Sequence, residues 1–177
     1  MEAKAHRITQ VDPDADIVVA AQHDLGQFVV LYDRYVQQIY RYVRMRVRHE
    51  QAAEDITSQV FLTALARIGS LRPESSFAAW LFRVAHNAVQ DTYRARSILS
   101  AETEALEALP DMDLGPEALA LAGENAVALR ALIDTLRPEQ QHLLALRFGA
   151  DLSAAEIGAI LDKSPEAVRV ALHRAIK

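Results

Sequence analysis

The sequence predicts an all-α protein of two small helical domains joined by an acidic linker. Apolar residues recur at helical spacing through most of the chain. Charge changes sign in blocks: residues 28–98 contain ten arginines and six acidic residues, whereas residues 99–135 contain one arginine and eight acidic residues. Pro110, Gly115 and Pro116 prevent one continuous helix through the acidic block. The expected segments are a disordered N-terminus at 1–16, helical domains at 17–97 and 124–177, and a linker at 98–123.

The composition is that of a globular protein. Of 177 residues, 51% are apolar and 24% are charged. No run of eighteen apolar residues occurs, so no membrane span is expected, and the N-terminus lacks the apolar region of a secretory signal. The absence of cysteine excludes disulfides and thiolate metal sites, and the six histidines are scattered. We therefore expect a cytoplasmic protein without a metal or cofactor.

The first two long helices are predicted at residues 28–47 and 51–68, after a short helix at 17–27. Helical spacing places the tyrosines of the first long helix in the core rather than on a base-stacking surface. These core tyrosines are Tyr32, Tyr35 and Tyr42, whereas Tyr40 lies off the apolar stripe. The arginines of this helix are expected on its other sides and in its last turn: Arg34, Arg41, Arg44, Arg46 and Arg48. The second long helix turns Ile56, Val60, Phe61 and Ala64 inward and Asp55, Ser58, Gln59 and Leu62 outward. A leucine exposed beside carboxylate and amide groups suits a protein contact, although solitary surface leucines are common.

Residues 75–97 predict a third amphipathic helix with an unusual polar face. Its apolar stripe contains Phe77, Leu81, Val84 and Ala88, broadened by Trp80 and Ala85. Its polar stripe contains Arg83, Asn87, Gln90 and Arg94. The planar ends of these side chains can hydrogen-bond to base edges and phosphates. The alternative is a core helix whose polar side merely faces water.

The C-terminal third predicts a helix-turn-helix. Helices are expected at residues 124–136 and 138–148, and Gly149 ends the second. A capping box formed by Ser153 and Glu156 follows. A turn then leads to Ser164 as N-cap and Pro165 as first residue of the last helix. That helix turns Glu166, Arg169, His173 and Lys177 outward. Two short helices in this order are typical of a DNA-binding helix-turn-helix, although an ordinary helical hairpin has the same pattern.

Three segments taken together resemble the bacterial extracytoplasmic-function sigma factors, the small two-domain class of the sigma-70 family. They are AEDITSQVFLTAL, FAAWLFRVAHNAVQD and the stretch from LRPEQQ to the C-terminus, with the acidic linker before the last. The resemblance covers nearly the whole chain from about residue 17. It implies domains of the region 2 and region 4 types in a non-enzymatic transcription-initiation subunit. The implied partners are core RNA polymerase, promoter DNA and an anti-sigma factor, with no small-molecule substrate and no membrane insertion.

The resemblance also implies roles for particular residues. The family's Asp-Leu-Thr-Gln-Glu polymerase contact matches at Asp55, with Ser58 and Gln59 where Gln and Glu are usual. The implied polymerase-binding residues are Asp55, Ser58, Gln59 and Leu62. The family's Trp-Leu-x-Arg-x-Ala-x-Asn segment matches at residues 80–87. The residues implied to read and melt the minus-ten element are Ser75, Ser76, Trp80, Arg83, Asn87, Gln90 and Arg94. Those implied to read the minus-thirty-five element are Ser164, Glu166, Arg169, His173, Arg174 and Lys177.

Two other classes of protein share parts of this pattern. A different helix-turn-helix regulator would use residues 17–97 for sensing or dimerisation and would not need the segment around Trp80. A helical enzyme would need acid–base groups such as Glu54 and Asp55. Adjacent carboxylates on a helix point about 100° apart and do not easily share one proton site. No glycine-rich phosphate loop or nucleophile elbow occurs, so an enzyme is disfavoured.

Overall fold

The computed structural model describes residues 12–47, 49–72, 75–102 and 128–177, and within these ranges it contains helices and no strand. The N-terminal half consists of α1 (Ala15–His23), a 3-10 turn (Leu25–Gln27), α2 (Phe28–Arg46), α3 (Glu50–Arg67) and α4 (Phe77–Glu102). The C-terminal half consists of α5 (128–135), α6 (Pro138–Leu144), a π-helical turn (Ala145–Gly149), α7 (Ala154–Leu161) and α8 (Pro165–Ile176). The predicted all-α class is confirmed.

Helix α2 forms the centre of the N-terminal domain. Its side chains at Leu31, Ile39 and Val43 are fully buried, and the helix contacts both α3 and α4. The inward face predicted for α3 is buried as expected. Of the three predicted core tyrosines, Tyr35 and Tyr42 are buried, whereas Tyr32 is 41% exposed. The prediction for Tyr32 is wrong because its ring packs edge-on against Phe61, with centroids 4.8 Å apart, and leaves its other side open.

Residues 12–16, which precede the predicted domain boundary, are part of the fold. Asp14 is fully buried, where it forms an ion pair with Arg34 and accepts a hydrogen bond from the Tyr35 hydroxyl. Burial and the Asp14 carboxylate raise the pKa of Tyr35, which keeps that hydroxyl protonated as the donor. The Asp12 carboxylate accepts a hydrogen bond from the Phe77 backbone N–H, 2.9 Å away. The expectation of disorder over 1–16 is therefore wrong for 12–16, while 1–11 lie outside the described residues.

The predicted linker also begins too early. Helix α4 continues through residue 98 to Glu102, because residues 98–102 contain neither proline nor glycine and favour helix. The rest of the predicted linker, residues 103–123, and the predicted start of the next helix at 124 lie outside the described residues.

The predicted caps of the helix-turn-helix are present. The Ser153 hydroxyl accepts a hydrogen bond from the Glu156 N–H at 3.3 Å, and the Glu156 carboxylate accepts one from the Ser153 N–H at 2.8 Å. The Ser164 hydroxyl accepts a hydrogen bond from the Ala167 N–H at 3.1 Å, and Pro165 opens α8. These side chains satisfy backbone donors that would otherwise lack partners at the starts of α7 and α8.

The turn between α7 and α8 requires a glycine at position 158. A Cβ added to Gly158 would lie 2.5 Å from the Lys163 carbonyl oxygen, which belongs to the backbone. We expect Gly158→Ala to lower the free energy of unfolding by about 1–3 kcal/mol, as overpacking does elsewhere. Chemical denaturation followed by circular dichroism measures this effect. Gly69→Ala is the matched control, because a Cβ there meets nothing within 4 Å; equal losses in both variants would contradict the steric argument.

The two helical domains pack against each other. Helix α2 contacts the π-helical turn, α4 contacts α7, and the buried residues of both domains form one continuous hydrophobic cluster. Gly149 lies close to the backbone of α2. A Cβ there would lie 3.0 Å from the Arg41 carbonyl oxygen and 3.2 Å from the Tyr42 Cα. The absence of a side chain at this position therefore permits the observed packing.

Candidate nucleic-acid interface

The polar face predicted for α4 is present on the surface. The helix buries Leu81, Phe82, Ala85 and Val89 on its opposite side. Arg83, Asn87 and Arg94 are exposed and Gln90 is half-buried. Asn87 makes no hydrogen bond within the described part of the chain, so its amide is available to a ligand.

The other predicted minus-ten residues lie at the start of α4. Trp80 is half-buried and packs on the core, with its ring centroid 5.8 Å from that of Phe77. Ser75 and Ser76 are half-buried. The Ser76 hydroxyl accepts a hydrogen bond from the Ala79 N–H at 3.3 Å and so caps the helix. Ser76 and Trp80 therefore have structural roles in addition to any contact with DNA.

The polar face of α4 lines a cleft of about 1160 Å³ between the two domains. Five basic residues face this cleft: Arg83, Arg94, Arg137, Lys163 and Arg174. Two acidic residues, Asp91 and Glu139, face it as well. The excess of cations makes this cleft, which we call the basic cleft, suitable for phosphate or another anionic ligand.

Helix α8 presents its predicted residues in two directions. Arg169, His173 and Lys177 are exposed, and Arg174 is exposed on the side that lines the basic cleft. Glu166 forms an ion pair with Arg169 at 3.1 Å. Ser164 serves as the N-cap of the helix. One face of α8 is thus open to solvent, while Arg174 faces α4.

The predicted polymerase-binding residues form a separate exposed surface on α3. Asp55, Ser58 and Gln59 are exposed, and Leu62 is 62% exposed. The residues between them, Ile56 and Thr57, are buried, and the Thr57 hydroxyl donates to the Ala53 carbonyl at 2.7 Å. The matched motif therefore divides into core positions and surface positions.

Three polar residues meet at the domain interface, namely Tyr42, His86 and His142, and sequence patterns did not predict this cluster. Tyr42 Oη lies 2.8 Å from His142 Nδ1, and His86 Nδ1 lies 3.0 Å from the same atom. Arg46, expected on the outside of α2, is only 2% exposed. Its position one turn after Tyr42 and Val43 is the sequence signal for burial. No comparable signal links His86 to His142, which are 56 positions apart.

The described ranges contain neither a candidate metal site nor a candidate membrane-spanning helix. No group of three His, Cys, Asp or Glu residues there can hold a metal ion. None of the helices there is long and apolar enough to cross a bilayer.

The helix-turn-helix, the basic cleft and the polar face of α4 are together typical of a two-domain helical protein that binds DNA. Comparisons with known proteins specify the class. Family models match sigma-70 region 2 at residues 31–98 and sigma-70 region 4 at residues 126–177. The chain therefore belongs to the sigma-70 family, in its extracytoplasmic-function class. It is a sigma factor, which directs RNA polymerase to promoters, and sigma factors are not enzymes.

Two curated relatives and one solved structure illustrate the similarity. The ECF RNA polymerase sigma factor BldN of Streptomyces coelicolor is 34% identical over 97% of this chain and 68% of its own. The RNA polymerase sigma factor YlaC of Bacillus subtilis is 33% identical over 82% of this chain and 85% of its own. CnrH, solved in complex with the cytosolic domain of CnrY, shares the fold with a TM-score of 0.67 at 21% identity, over 93% of this chain and 92% of that chain. Family membership decides against a helix-turn-helix regulator of another family.

Proposed function

We propose that three surfaces of this sigma factor have separate binding roles. The exposed face of α3 binds core RNA polymerase, the polar face of α4 reads the minus-ten element, and α8 reads the minus-thirty-five element. The corresponding domains are residues 17–97 and 124–177, with α1 extending the first to Ala15. The observation that carries the proposal is the position of Arg83, Asn87 and Gln90 together on the lining of the basic cleft.

The α4 face has the chemistry needed to capture a single strand. Promoter opening requires that unstacked bases be held by hydrogen bonds and that phosphates be held by cations. Asn87 and Gln90 offer amide donors and acceptors for a base, and Arg83 and Arg94 offer charge for the backbone. Helix α8 has the exposed surface needed to enter a major groove.

Promoter binding requires the domains to separate. The positions in their names place the minus-ten and minus-thirty-five elements about 25 base pairs apart from centre to centre, or about 85 Å of B-form DNA at about 3.4 Å per base pair. In the structure, Asn87 and Arg174 line the same cleft. Because one compact arrangement cannot span that distance, we infer that the described arrangement belongs to the free protein and opens on the polymerase.

Reconstitution with core polymerase tests the proposed function. The expected results are a stoichiometric complex in size-exclusion chromatography and promoter-dependent run-off transcripts from a library of genomic promoters. A chain that forms no complex with the core enzyme under conditions that preserve helicity would contradict the proposal.

Asp55→Ala combined with Gln59→Ala should weaken binding to core polymerase by about thirtyfold, since each polar interface contact contributes about 1 kcal/mol and the variant removes two. Both side chains are exposed, so helicity should not change. Fluorescence titration of labelled sigma with core enzyme measures the affinity. Asp33→Ala with Gln37→Ala, the same exposed residue types at the same spacing on α2, is the matched control. Equal affinities for the two double variants would contradict a specific role for the α3 surface.

Arg169→Ala should weaken binding to duplex minus-thirty-five DNA by about 1–3 kcal/mol if its contact is to a base edge. Arg174→Ala should have the same effect only after the domains separate, because Arg174 lines the basic cleft. Fluorescence anisotropy with a selected promoter duplex, measured for holoenzyme, gives both values. If the holoenzyme binds equally well without either arginine, α8 is not the reader.

Two further assignments belong to this proposal. An anti-sigma factor, implied by the family resemblance, would bind the free protein and compete with core polymerase for it. The compartment is the cytoplasm, where bacterial RNA polymerase acts. Competition between core enzyme and candidate anti-sigma domains for a labelled sigma factor tests the first assignment.

A further inference from the structure

A polar cluster joins the two domains inside their otherwise apolar interface. It consists of Tyr42 from α2, His86 from α4 and His142 from α6. Tyr42 Oη lies 2.8 Å from His142 Nδ1 and 3.4 Å from His86 Nδ1, and the two Nδ1 atoms are 3.0 Å apart. Tyr42 and His142 are buried, and His86 is half-buried. Outside this cluster, Arg130 Nη1 on α5 also links the domains by donating to the Met45 carbonyl of α2 at 3.0 Å.

The geometry of this cluster limits how many protons it can hold. A neutral imidazole uses Nδ1 either as donor or as acceptor, whereas in an imidazolium both nitrogens are donors. If both rings were protonated, two N–H groups would face each other across 3.0 Å with no lone pair between them. The contact between His86 and His142 therefore needs at least one Nδ1 without a proton.

The positive charge of Arg46 disfavours even the first proton added to His86 or His142. Its side chain is 2% exposed one turn beyond Tyr42, and its Nε and Nη1 atoms have no hydrogen-bond partner in the described part of the chain. A buried guanidinium without a counter-ion raises the cost of a second positive charge nearby. Burial, then His86, then Arg46 lower the pKa of His142 to about 3, and burial and Arg46 lower the pKa of His86.

On α5, Arg130 and Asp134 line a pocket with Arg46 and form an ion pair with each other at 3.4 Å. The remaining charges do not offset the effect of Arg46. Tyr93 on α4 uses its hydroxyl to donate to the Arg46 carbonyl. The two carboxylates of the adjoining basic cleft are Asp91, already paired with Arg94 at 3.1 Å, and Glu139, which is exposed. The cations facing the same cleft are Arg83, Arg94, Arg137, Lys163 and Arg174. A proton added to either histidine would enter a region that is already positive.

We propose that Tyr42, His86 and His142 form a proton-sensitive latch, which holds the two domains together while both imidazoles are neutral and releases them on acidification. This inference goes beyond the proposed function and does not depend on which surfaces read DNA. In the closed protein the latch keeps the α4 face and Arg174 on opposite walls of one cleft. Release separates them.

The sign of the pH dependence follows from the pKa changes. In the open protein the two histidines have the ordinary pKa of about 6.5, and in the closed protein their pKa is lower. Closing therefore expels protons. Above about pH 6.5 the preference for the closed state is fully present. It is lost as the pH falls toward the lower pKa that the histidines have in the closed protein. At pH 5.5, His142 alone should shift the equilibrium toward the open state by about tenfold.

Energy transfer between two dyes measures the opening. The chain has no cysteine, so Ala66→Cys on α3 and Ala159→Cys on α7, both exposed, give unique labelling sites in the two domains. We expect transfer efficiency to fall between pH 7.5 and pH 5.5 while circular dichroism shows unchanged helicity. His86→Gln with His142→Gln should abolish the pH response. His23→Gln, which removes an exposed histidine, is the matched control and should retain it.

Two results would overturn the latch. The first is constant transfer efficiency in the wild-type chain between pH 7.5 and pH 5.5. The second is an equal pH response in the wild type and in the double glutamine variant. If that variant is already open at pH 7.5, the latch is tested instead by NMR titration of the imidazoles in the wild-type chain. The latch requires an apparent pKa for His142 well below 6.5, and an ordinary value would exclude it.

Discussion

Replacing Asn87 with alanine should reduce open-complex formation by about tenfold or more while polymerase binding stays unchanged. A side chain that hydrogen-bonds a base edge contributes about 1–3 kcal/mol of discrimination. Asn87 is exposed on the basic cleft and makes no hydrogen bond within the described residues, so its loss should not lower the melting temperature. Permanganate footprinting of the holoenzyme on promoters with single-base changes in the minus-ten element measures both opening and base preference. We expect preference to relax at one base.

Arg83→Ala is the matched comparison because Arg83 lies one turn away on the same face. Its Nε donates to the Ala79 carbonyl at 3.3 Å, and its exposed guanidinium can pair with a phosphate. A lost phosphate contact should weaken binding of all promoters equally and reduce the salt dependence. An unaltered base profile for Asn87→Ala, together with a lowered melting temperature, would show that Asn87 stabilises the fold and does not read a base.

Local rules account for most of the fold. The caps at Ser153 and Ser164 follow from short-range hydrogen bonding, and the structure contains both. The outward position of Asp55 and Leu62 follows from helical spacing alone. These features are predictable because each depends on residues within about one helical turn.

The features that sequence reasoning missed depend on distant parts of the chain. Pro13 among aspartates is typical of disorder, yet Asp14 is buried by Arg34 and Tyr35, about 20 positions away. Arg46 ends an arginine-rich helix and was expected outside, but docking of the second domain covers it. Gly149 was recognised as a helix stop, whereas the structure also uses it for close approach to α2. Periodicity describes one helix at a time and contains no information about which domains meet.

The same limit applies to the candidate site. Sequence spacing and the family resemblance identified the exposed residues of α4 and α8 separately. They did not indicate that Asn87 and Arg174 line one cleft in the free protein. Nor did they connect His86 with His142, because no local pattern relates two side chains from different domains.

Gly149→Leu should separate the domains without unfolding either one. A Cβ at this position would lie 3.0 Å from both the Arg41 carbonyl oxygen and the Met45 Sδ, and the backbone of α2 cannot move aside easily. Overpacking of about 1–3 kcal/mol would shift the closed–open equilibrium roughly 5- to 150-fold toward the open state. Small-angle scattering should show a larger radius of gyration, while circular dichroism should show unchanged helicity. Gly69→Leu, where nothing lies within 4 Å of the added Cβ, is the control and should remain compact.

Opening should also change how the protein meets polymerase. If only the open form binds core enzyme productively, the apparent affinity equals the affinity of the open form multiplied by the fraction of molecules that are open. Gly149→Leu should therefore bind core polymerase more tightly than the wild type, and the advantage should disappear at a pH that already opens the wild type. Lower helicity with an unchanged radius of gyration would instead mean that Gly149 supports the folding of the second domain. Because the proposed polymerase contacts on α3 lie apart from Gly149, tighter binding by this variant would be explained by opening and not by a new contact.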